Sequence, residues 1–405
     1  MTDRHAVQAT AQRVGRWTAI VMGFTLPIWA LADSLLMGLL VVSWAVSGQW
    51  RGMWRIVRSN PVALSTLVLF SFLLLGTLWG EGSLDDRALY MKKYGELLFI
   101  PLLMSLGFTA EDRRRALWGF ALGLVLTLAL SYVLWLGWLT PGGLIKGEPS
   151  NPFVFKRHIT HNILMAFGAL LFATFAWTSK DARWRWGWSL LAFAAAINVL
   201  LMVQGRTGYL ILAALTMLLL HVFWGWRGIA AAVVLVSGAF AGAYAVSSSF
   251  HDRLDLAVNN TRNWSPSVSA HEGITERLEF YQNTLEIIQE HPVTGVGTGG
   301  FGQAYAEHVA PKGLKPTRNP HNQYLLVMVQ VGLVGLLLLC WLLIRQWQAA
   351  ANLPEPGYRL VARGLVLTIV IGCVFNALLI DHTEKLLYCW FTGLFLSGSR
   401  QQAEV

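Results

Sequence analysis

Long apolar stretches follow one another along most of this chain, and short polar connections separate them. The stretches do not show the alternation of apolar and polar residues that strands of a membrane barrel need. Apolar runs of this kind are typical of helices that cross a bilayer. We predict an all-α integral membrane protein with about 12 transmembrane helices, near residues 15–30, 31–48, 62–79, 95–108, 116–139, 158–177, 184–203, 206–223, 228–247, 321–344, 360–380 and 383–397.

One polar segment is much longer than the others and divides the chain into three parts. Residues 1–247 carry predicted helices 1–9, residues 248–320 form a large outer loop, and residues 321–405 carry helices 10–12 and a C-terminal tail. This loop is too short to form an independent domain comfortably, so we expect it to pack on the bundle.

The pattern inside this loop predicts one amphipathic helix near residues 274–290. Gly273 precedes it and Pro292 follows it, and both residues are typical of helix boundaries. Its apolar residues recur at three- and four-residue steps: Ile274, Leu278, Tyr281, Leu285 and Ile288.

Composition supports a membrane location. Of 405 residues, 55% are hydrophobic and 13% are charged, whereas a soluble protein has about 25% charged residues. The three cysteines, Cys340, Cys373 and Cys389, fall inside apolar stretches. We therefore expect neither a disulfide nor thiolate chemistry.

The distribution of Lys and Arg predicts the orientation. Alternate connections and the two termini carry 17 of the 31 basic residues, nearly all of them in short segments. Because basic residues are enriched in short cytoplasmic loops, we place these connections and both termini in the cytoplasm.

The remaining 14 basic residues lie on the predicted outer side. Six belong to the loop 248–320, and the others are Arg87, Lys92, Lys93, Lys146, Lys156, Arg157, Arg206 and Lys385. Cations kept outside against this bias suggest an anionic ligand, although contacts with lipid phosphates would also account for some of them.

The stretch "TRNPHNQYLLVMVQVGLVGLL" places polar residues at the outer mouth of the tenth predicted helix. Asn319 and Pro320 suggest an N-cap followed by a proline at the first helical position, which would put His321 in the first turn. A helix N-terminus attracts anions and disfavours a protonated imidazole. His321 is therefore a candidate base, unless it is only an interfacial histidine in a helix cap.

Two arginines are further candidates. Arg206 lies in the connection between predicted helices seven and eight, which is only a few residues long and holds its side chain close to the bilayer. Arg277 is in the first turn of the predicted loop helix, where a cation opposes the helix dipole. Either Glu276 or Glu279 offsets its charge, or it faces a bound anion.

Two other motifs are weaker. The glycines of "GVGTGGFG" match the spacing of a dinucleotide fingerprint, but a predicted helix and Pro292 precede them instead of a strand. We expect a turn with close backbone approach. His158 and His161 share one helical face, but without a nearby carboxylate or cysteine they do not indicate a zinc site.

The stretches "RNPHNQYLLVMVQVGLVG", "HPVTGVGTGGFG" and "GRTGYL" together resemble the O-antigen ligase and O-antigen polymerase superfamily. This resemblance implies a glycosyltransferase of the bacterial inner membrane that works at the periplasmic face. It would transfer a glycan from undecaprenyl diphosphate to an acceptor hydroxyl with inversion, and without a metal or another cofactor. His321 would be the essential histidine, and Arg206 and Arg277 would hold the diphosphate.

The chemistry of the residues is consistent with this resemblance. Metal-dependent glycosyltransferases often use an Asp-x-Asp pair, and this chain has none. Arginine offers instead a fork that matches phosphate oxygens. A general base contributes about 10²- to 10⁴-fold to such a reaction. His321 is the candidate for this base, or it only orients the acceptor.

One large loop and a short tail favour the ligase within this superfamily, with lipid A–core as the acceptor. The alternatives are an O-antigen polymerase, a protein O-oligosaccharyltransferase or, as a protein without enzymatic activity, a flippase of lipid-linked glycans. A flippase would need polar residues along the membrane interior, where we find few besides Asp33 and Asn376. We expect membrane lipids as partners and no nucleic acid.

An acceptor with a phosphorylated core would need cations of its own. We predict that outer cations line its entrance, among them Lys92, Lys93, Arg157 and Lys385. The remaining candidates for substrate contact are His161, Arg318, Asn322, Tyr324 and Asp381.

Overall fold

The structure is a computed structural model that describes residues 2–262 and 273–397. Part of the predicted outer loop, residues 263–272, and the predicted C-terminal tail, residues 398–405, lie outside the described residues. The N-terminal part of the chain contains α1 Thr2–Thr25, α2 Ala30–Ser47, α3 Trp50–Ser59, α4 Pro61–Leu75, α5 Leu84–Gly95, α6 Phe99–Ser105, α7 Ala110–Trp135, α8 His158–Thr178 and α9 Ala182–Ile197.

The C-terminal part completes the helical bundle. A π-helical turn at Asn198–Met202 extends α9. The helices that follow are α10 Arg206–Trp224, α11 Trp226–Val246, α12 Ser248–Arg262, α13 Ile274–Glu290, α14 Phe301–Val309, α15 Gln323–Ala351, α16 Pro356–Phe375 and α17 His382–Phe395.

Helices occupy all twelve predicted membrane positions, but not all are long enough to span a bilayer alone. Among the described residues, eight helices are long and apolar enough, or up to nine if α3 and α4, which meet at 102°, form one broken span. The protein is therefore a multi-pass, all-α membrane protein. The count of twelve spans stays a prediction.

The short helix α17 explains part of the difference between the predicted number of spans and the number of helices long enough to cross a bilayer. It has only 14 residues, about 21 Å of helix, and every residue from Thr383 to Phe395 is buried. The Trp390 indole donates a hydrogen bond to the Ala19 carbonyl oxygen at 2.7 Å. A helix that is buried on all sides belongs to the core of the bundle, so α17 is surrounded by protein.

Asp33, the charged residue within the second predicted span, is fully buried. Its carboxylate accepts a hydrogen bond from Thr25 at 2.8 Å and lies 3.5 Å from the buried Lys156 ammonium. Lys156 belongs to the connection before α8. A buried charge needs a partner. This ion pair therefore explains one cation of the predicted outer side, and no ligand is needed to explain it.

The predicted loop helix is present as α13, and Ile288 of its predicted face is buried, but other buried positions differ from the prediction. Leu285 is 46% exposed, whereas Phe280, Asn283, Thr284 and Ile287 are buried. The Asn283 amide donates to the Glu279 carbonyl and accepts from Lys312 at 2.7 Å. These hydrogen bonds allow the polar Asn283 side chain to be buried, and hydrophobic periodicity alone did not reveal this.

Candidate active site

The glycine-rich stretch forms a packed turn between two helices, as the sequence predicted. Thr298 donates to the Gly76 and Leu73 carbonyls at the end of α4, and Val296 donates to the Val329 carbonyl of α15 at 2.8 Å. At Gly297 the backbone has φ +80°, and a Cβ atom would lie 2.1 Å from the Gly80 Cα. This contact excludes any side chain there.

The same turn coincides with a break in α15. Val331 and Gly332 have non-helical backbone angles inside this helix, and Leu333 donates to the Pro292 carbonyl at 3.0 Å. A Cβ atom on Gly332 would lie 1.8 Å from the Val293 carbonyl oxygen. The turn therefore enters the bundle at the break, and it fixes the outer part of α15 relative to α4.

The start of α15 differs from the sequence prediction. Asn322 is the N-cap, because its side-chain oxygen accepts the Tyr324 and Leu325 amides, and the helix begins at Gln323. Asn319 accepts the His321 amide at 2.8 Å, which makes a local turn of the kind that asparagine favours. The prediction that Asn319 is the cap and that His321 lies in the first turn was wrong.

His321 precedes the helix in a backbone conformation that non-glycine residues rarely adopt. Its φ is +54°, the single positive value outside glycine among the described residues. Such a conformation costs about 1–3 kcal/mol and persists only where neighbours enforce it. Here the Asn319 side chain holds its amide, and the Tyr281 hydroxyl donates to its carbonyl at 3.1 Å.

The imidazole of His321 lies against the loop helix α13. Its ring stacks on Phe280 with centroids 6.1 Å apart. Burial and the nearby Arg277 charge lower the pKa of His321 below its usual 6.5. The ring is therefore neutral at neutral pH and able to accept a proton.

Arg277 connects this histidine with the start of α10. Its guanidinium donates to the Asn376 side-chain oxygen at 3.3 Å, and the Asn376 amide donates to the Thr207 hydroxyl at 3.2 Å. Burial lowers the pKa of Arg277, against the influence of Tyr281 and Glu276, but the group stays charged. Among the described residues, no carboxylate lies within 4 Å of it.

Arg206 is the first residue of α10, and Thr207 follows it. The link from the π-helical turn is only residues 203–205, as short as predicted. The buried Asn162 donates to the Val203 and Gly205 carbonyls at 3.0 and 3.1 Å. These bonds define the backbone position from which the half-buried Arg206 side chain extends.

These contacts assemble one site from four separated parts of the chain. Asn376 joins the partly buried Arg277 guanidinium to the N-terminus of α10, which carries Arg206, and the neutral imidazole of His321 lies near Arg277. A neutral amide does not cancel the charge of Arg277, so the site retains a positive potential that favours an anion. The imidazole beside it can receive a proton from a hydroxyl group.

The other residues predicted near His321 have different environments. Arg318 is 73% exposed and lies 3.6 Å from the Asp86 carboxylate, and its carbonyl accepts the Tyr90 hydroxyl. The Tyr324 hydroxyl donates to the Val370 carbonyl of α16 at 2.9 Å. The side-chain oxygen of Asn322 is used as the helix cap. Tyr324 and Asn322 thus support the backbone of the site.

A second polar region surrounds Asp381, the residue before α17. Burial raises the pKa of its carboxyl, and Lys93, Lys385 and Arg157 oppose this shift. Lys385 is buried and is held by Glu96 at 3.0 Å and by the Lys93 carbonyl at 2.9 Å. The side chains of Lys92 and Arg157 are exposed, and Lys93 is half-buried.

His161 is separate from both regions. It is fully buried, and its ring contacts the Asn198 side-chain oxygen at 3.0 Å. The structure thus places it inside the bundle, away from a surface that a substrate reaches. Among residues 2–262 and 273–397, no group of three or more His, Cys, Asp or Glu side chains could hold a metal ion.

Sequence reasoning missed several residues that form the site. Asn376 was noted only as a polar exception near a span, and Asn162, Phe280 and the backbone contact of Tyr281 were not identified as parts of the site. The signal for Asn376 in the sequence was a lone asparagine at the end of an apolar helix. Its two partners, however, lie 99 and 169 residues away in the chain.

Comparison with known proteins supports the resemblance. No curated protein matches this chain. The family model described as O-Antigen ligase matches residues 190–340, a segment that contains Arg206, Arg277 and His321. Over this segment, the chain is similar to the O-antigen ligase family.

Proposed function

We propose that this protein is an O-antigen ligase that transfers a glycan from undecaprenyl diphosphate to a hydroxyl of lipid A–core at the periplasmic face of the inner membrane. The observation that carries the proposal is the Asn376 bridge. It joins Arg277 to the start of α10, where Arg206 lies, beside the neutral His321.

The donor diphosphate would bind between Arg206 and Arg277. Each guanidinium offers a planar fork that matches phosphate oxygens. The bond between the anomeric carbon and the phosphate oxygen breaks during transfer, and both electrons stay with the diphosphate. The two arginines would stabilise the negative charge that develops there.

His321 would act on the acceptor. Its neutral ring takes the proton from the acceptor hydroxyl while the hydroxyl oxygen attacks the anomeric carbon from the face opposite the leaving diphosphate. This attack inverts the configuration. The strained backbone of His321 and its stacking on Phe280 hold the ring in one orientation, which supports a role in which position matters.

The region around Asp381 is our candidate for the acceptor entrance. Exposed Lys92 and Arg157, with half-buried Lys93, supply cations for a phosphorylated core, and the Asp381 carboxylate can accept hydrogen bonds from sugar hydroxyls. We leave Lys385 out of the entrance because Glu96 already pairs with it. His161 is left out because it is buried.

The product in cells that lack this protein tests the proposal. We expect bare lipid A–core together with long glycans that accumulate on the lipid carrier. Lipid A–core with a single repeat unit would instead identify a polymerase, and glycans retained on the cytoplasmic side would identify a flippase. Purified protein with carrier-linked glycan and lipid A–core should form the ligated product.

The acceptor region has its own experiment. Replacing Lys92 and Lys93 with Gln should impair transfer to lipid A–core more than it impairs donor binding. Lys312→Gln, which removes a cation on the same side that Glu286 already pairs, is the control. Equal loss of donor binding and transfer in the double variant would contradict an acceptor role.

Metal independence is part of the proposal. We expect equal transfer rates in chelator and in added magnesium or manganese. A requirement for added metal would overturn this point, and it would direct attention to Asp381, His382 and Glu384, which are close in sequence at the start of α17.

A further inference from the structure

The helix α3 presents two different faces. Val57 is buried, and Met53 and Ile56 are half-buried on the same side, where the helix packs against α6. The opposite side exposes Arg51, Trp54, Arg55 and Arg58. These positions follow the i, i+3, i+4, i+7 spacing of one helical face, so three guanidinium groups and an indole share one surface.

A rigid corner holds this helix across the end of α4. The two helices meet at 102°. Asn60 caps α4 through the Val62 and Ala63 amides, and its own amide donates to the Leu396 carbonyl at 2.8 Å. The glycine-rich turn contacts the other end of α4, about 22 Å away along its 15 residues. The arginine face therefore lies at the opposite end of the span from the candidate active site.

The three arginines differ from a second basic triplet at the start of α7. There, Arg114 and Arg115 contact the Glu111 carboxylate at 2.7 and 2.9 Å, and Arg113 donates to the Phe108 carbonyl at 3.2 Å. On α3, none of the arginines has a carboxylate of the described residues within 4 Å. Within residues 2–262 and 273–397, no acidic side chain pairs with these three charges, and the adjoining α4 is apolar.

We infer that Arg51, Arg55 and Arg58 of α3 form a binding site for the phosphate groups of anionic phospholipids in the leaflet opposite the active site. Guanidinium groups bind phosphate oxygens in pairs, and anionic lipids attract basic residues at a membrane surface. Trp50 and Trp54, 65% and 52% exposed, suit the headgroup level, where indole rings are enriched. This inference does not depend on the proposed reaction.

Native mass spectrometry of the detergent-solubilised full chain tests the site. The protein is titrated with phosphatidylglycerol and, separately, with phosphatidylcholine. We expect preferential binding of phosphatidylglycerol, and about tenfold weaker binding of that lipid after Arg51→Gln with Arg55→Gln. The matched control is Arg114→Gln with Arg115→Gln, which removes two cations that Glu111 already pairs and should leave the affinity unchanged.

Two results would overturn the inference: equal affinity of the native protein for both lipids, or undiminished phosphatidylglycerol binding by the α3 variant. If the double variant fails to fold, Arg55→Gln alone should still weaken binding. Lysine at positions 51, 55 and 58 keeps the charge but loses the fork, so it should bind with intermediate affinity. Binding of these lysine variants below that of the glutamine variants would also contradict the site.

Discussion

Two cations of the predicted outer loop, Arg277 and Lys312, occupy contrasting environments. The Lys312 ammonium contacts the Glu286 carboxylate at 2.6 Å, the Asn283 oxygen at 2.7 Å and the His308 ring at 2.9 Å. Arg277 contacts the neutral oxygen of Asn376 at 3.3 Å. Arg277 belongs to α13 and Lys312 packs against it, but only Lys312 has a carboxylate within 4 Å among the described residues.

The difference separates a cation that supports the fold from one that is available to a ligand. The three partners of Lys312 leave little capacity for a phosphate. Arg277 is partly desolvated without a carboxylate of the described residues within 4 Å, and this arrangement is stable only if a substrate anion or solvent completes its interactions. The predicted position on the outer side was not enough to distinguish them, because both cations share it.

The largest expected effect comes from replacing the histidine near each cation, His321 near Arg277 and His308 beside Lys312. His321→Ala should reduce transfer about 10²- to 10⁴-fold, the contribution of a general base, with an unchanged melting temperature. His308→Ala removes a partner of Glu286 and should lower the melting temperature while transfer continues. Transfer assays and thermal unfolding of both variants test this difference. A loss of transfer in His308→Ala, or a lower melting temperature with normal transfer in His321→Ala, would contradict it.

The cations themselves give the next effect. Arg277→Lys loses one charge-assisted hydrogen bond of the fork, about 1.5–3 kcal/mol, which corresponds to roughly 10- to 100-fold slower transfer at low donor concentration. Lys312→Arg keeps a cation beside Glu286 and should be nearly neutral. Full activity of Arg277→Lys would mean that charge, rather than the fork, holds the donor.

A smaller effect is expected from asparagines that contact the two cations. Asn376→Asp places a carboxylate beside Arg277, where it competes with the donor, so KM for the donor should rise roughly fivefold, or about 1 kcal/mol, with little change in kcat. Asn283→Asp makes the same change beside Lys312, which is already paired, and should leave KM unchanged. A fall in kcat alone for Asn376→Asp would indicate a purely structural role.

Acidification should distinguish the surroundings of Arg277 and Lys312 least strongly. The lowered pKa of His321 predicts that kcat/KM stays constant down to about pH 6.5 and falls only at lower pH, as the ring is protonated. The hydrogen bond from Lys312 lowers the pKa of Glu286 from 4.5 to about 2. Its contribution to stability is thus complete above pH 4.5 and disappears as the pH falls through 2.

Transfer should therefore decline only below pH 6.5, and the Glu286 contact should stabilise the fold fully down to pH 4.5. Activity and unfolding measured at the same pH values check this order. A loss of transfer that begins well above pH 6.5 would contradict a depressed pKa at His321, and unfolding in step with the loss of transfer would contradict the independence of the two regions.

Local sequence patterns determined much of this protein. The apolar stretches indicated an all-α membrane fold, and the positions of all twelve predicted helices have helical counterparts. The loop helix at 274–290, the tight connection before Arg206 and the turn at the glycine-rich stretch are also present. Helix formation, capping and tight turns depend on neighbouring residues, so a single sequence contains their signals.

Other features depended on contacts between distant residues, and only the tertiary structure decided them. Two asparagines in one stretch can each cap a helix, and in the structure Asn322 is the cap while Asn319 accepts the His321 amide. Asn376 joins Arg277 to α10 across 99 and 169 residues of sequence. The partners of the predicted outer cations were also decided by the fold: Lys156 pairs with Asp33, Lys385 with Glu96 and Arg277 with an amide. Charge interactions are set by distance and burial rather than by position along the chain.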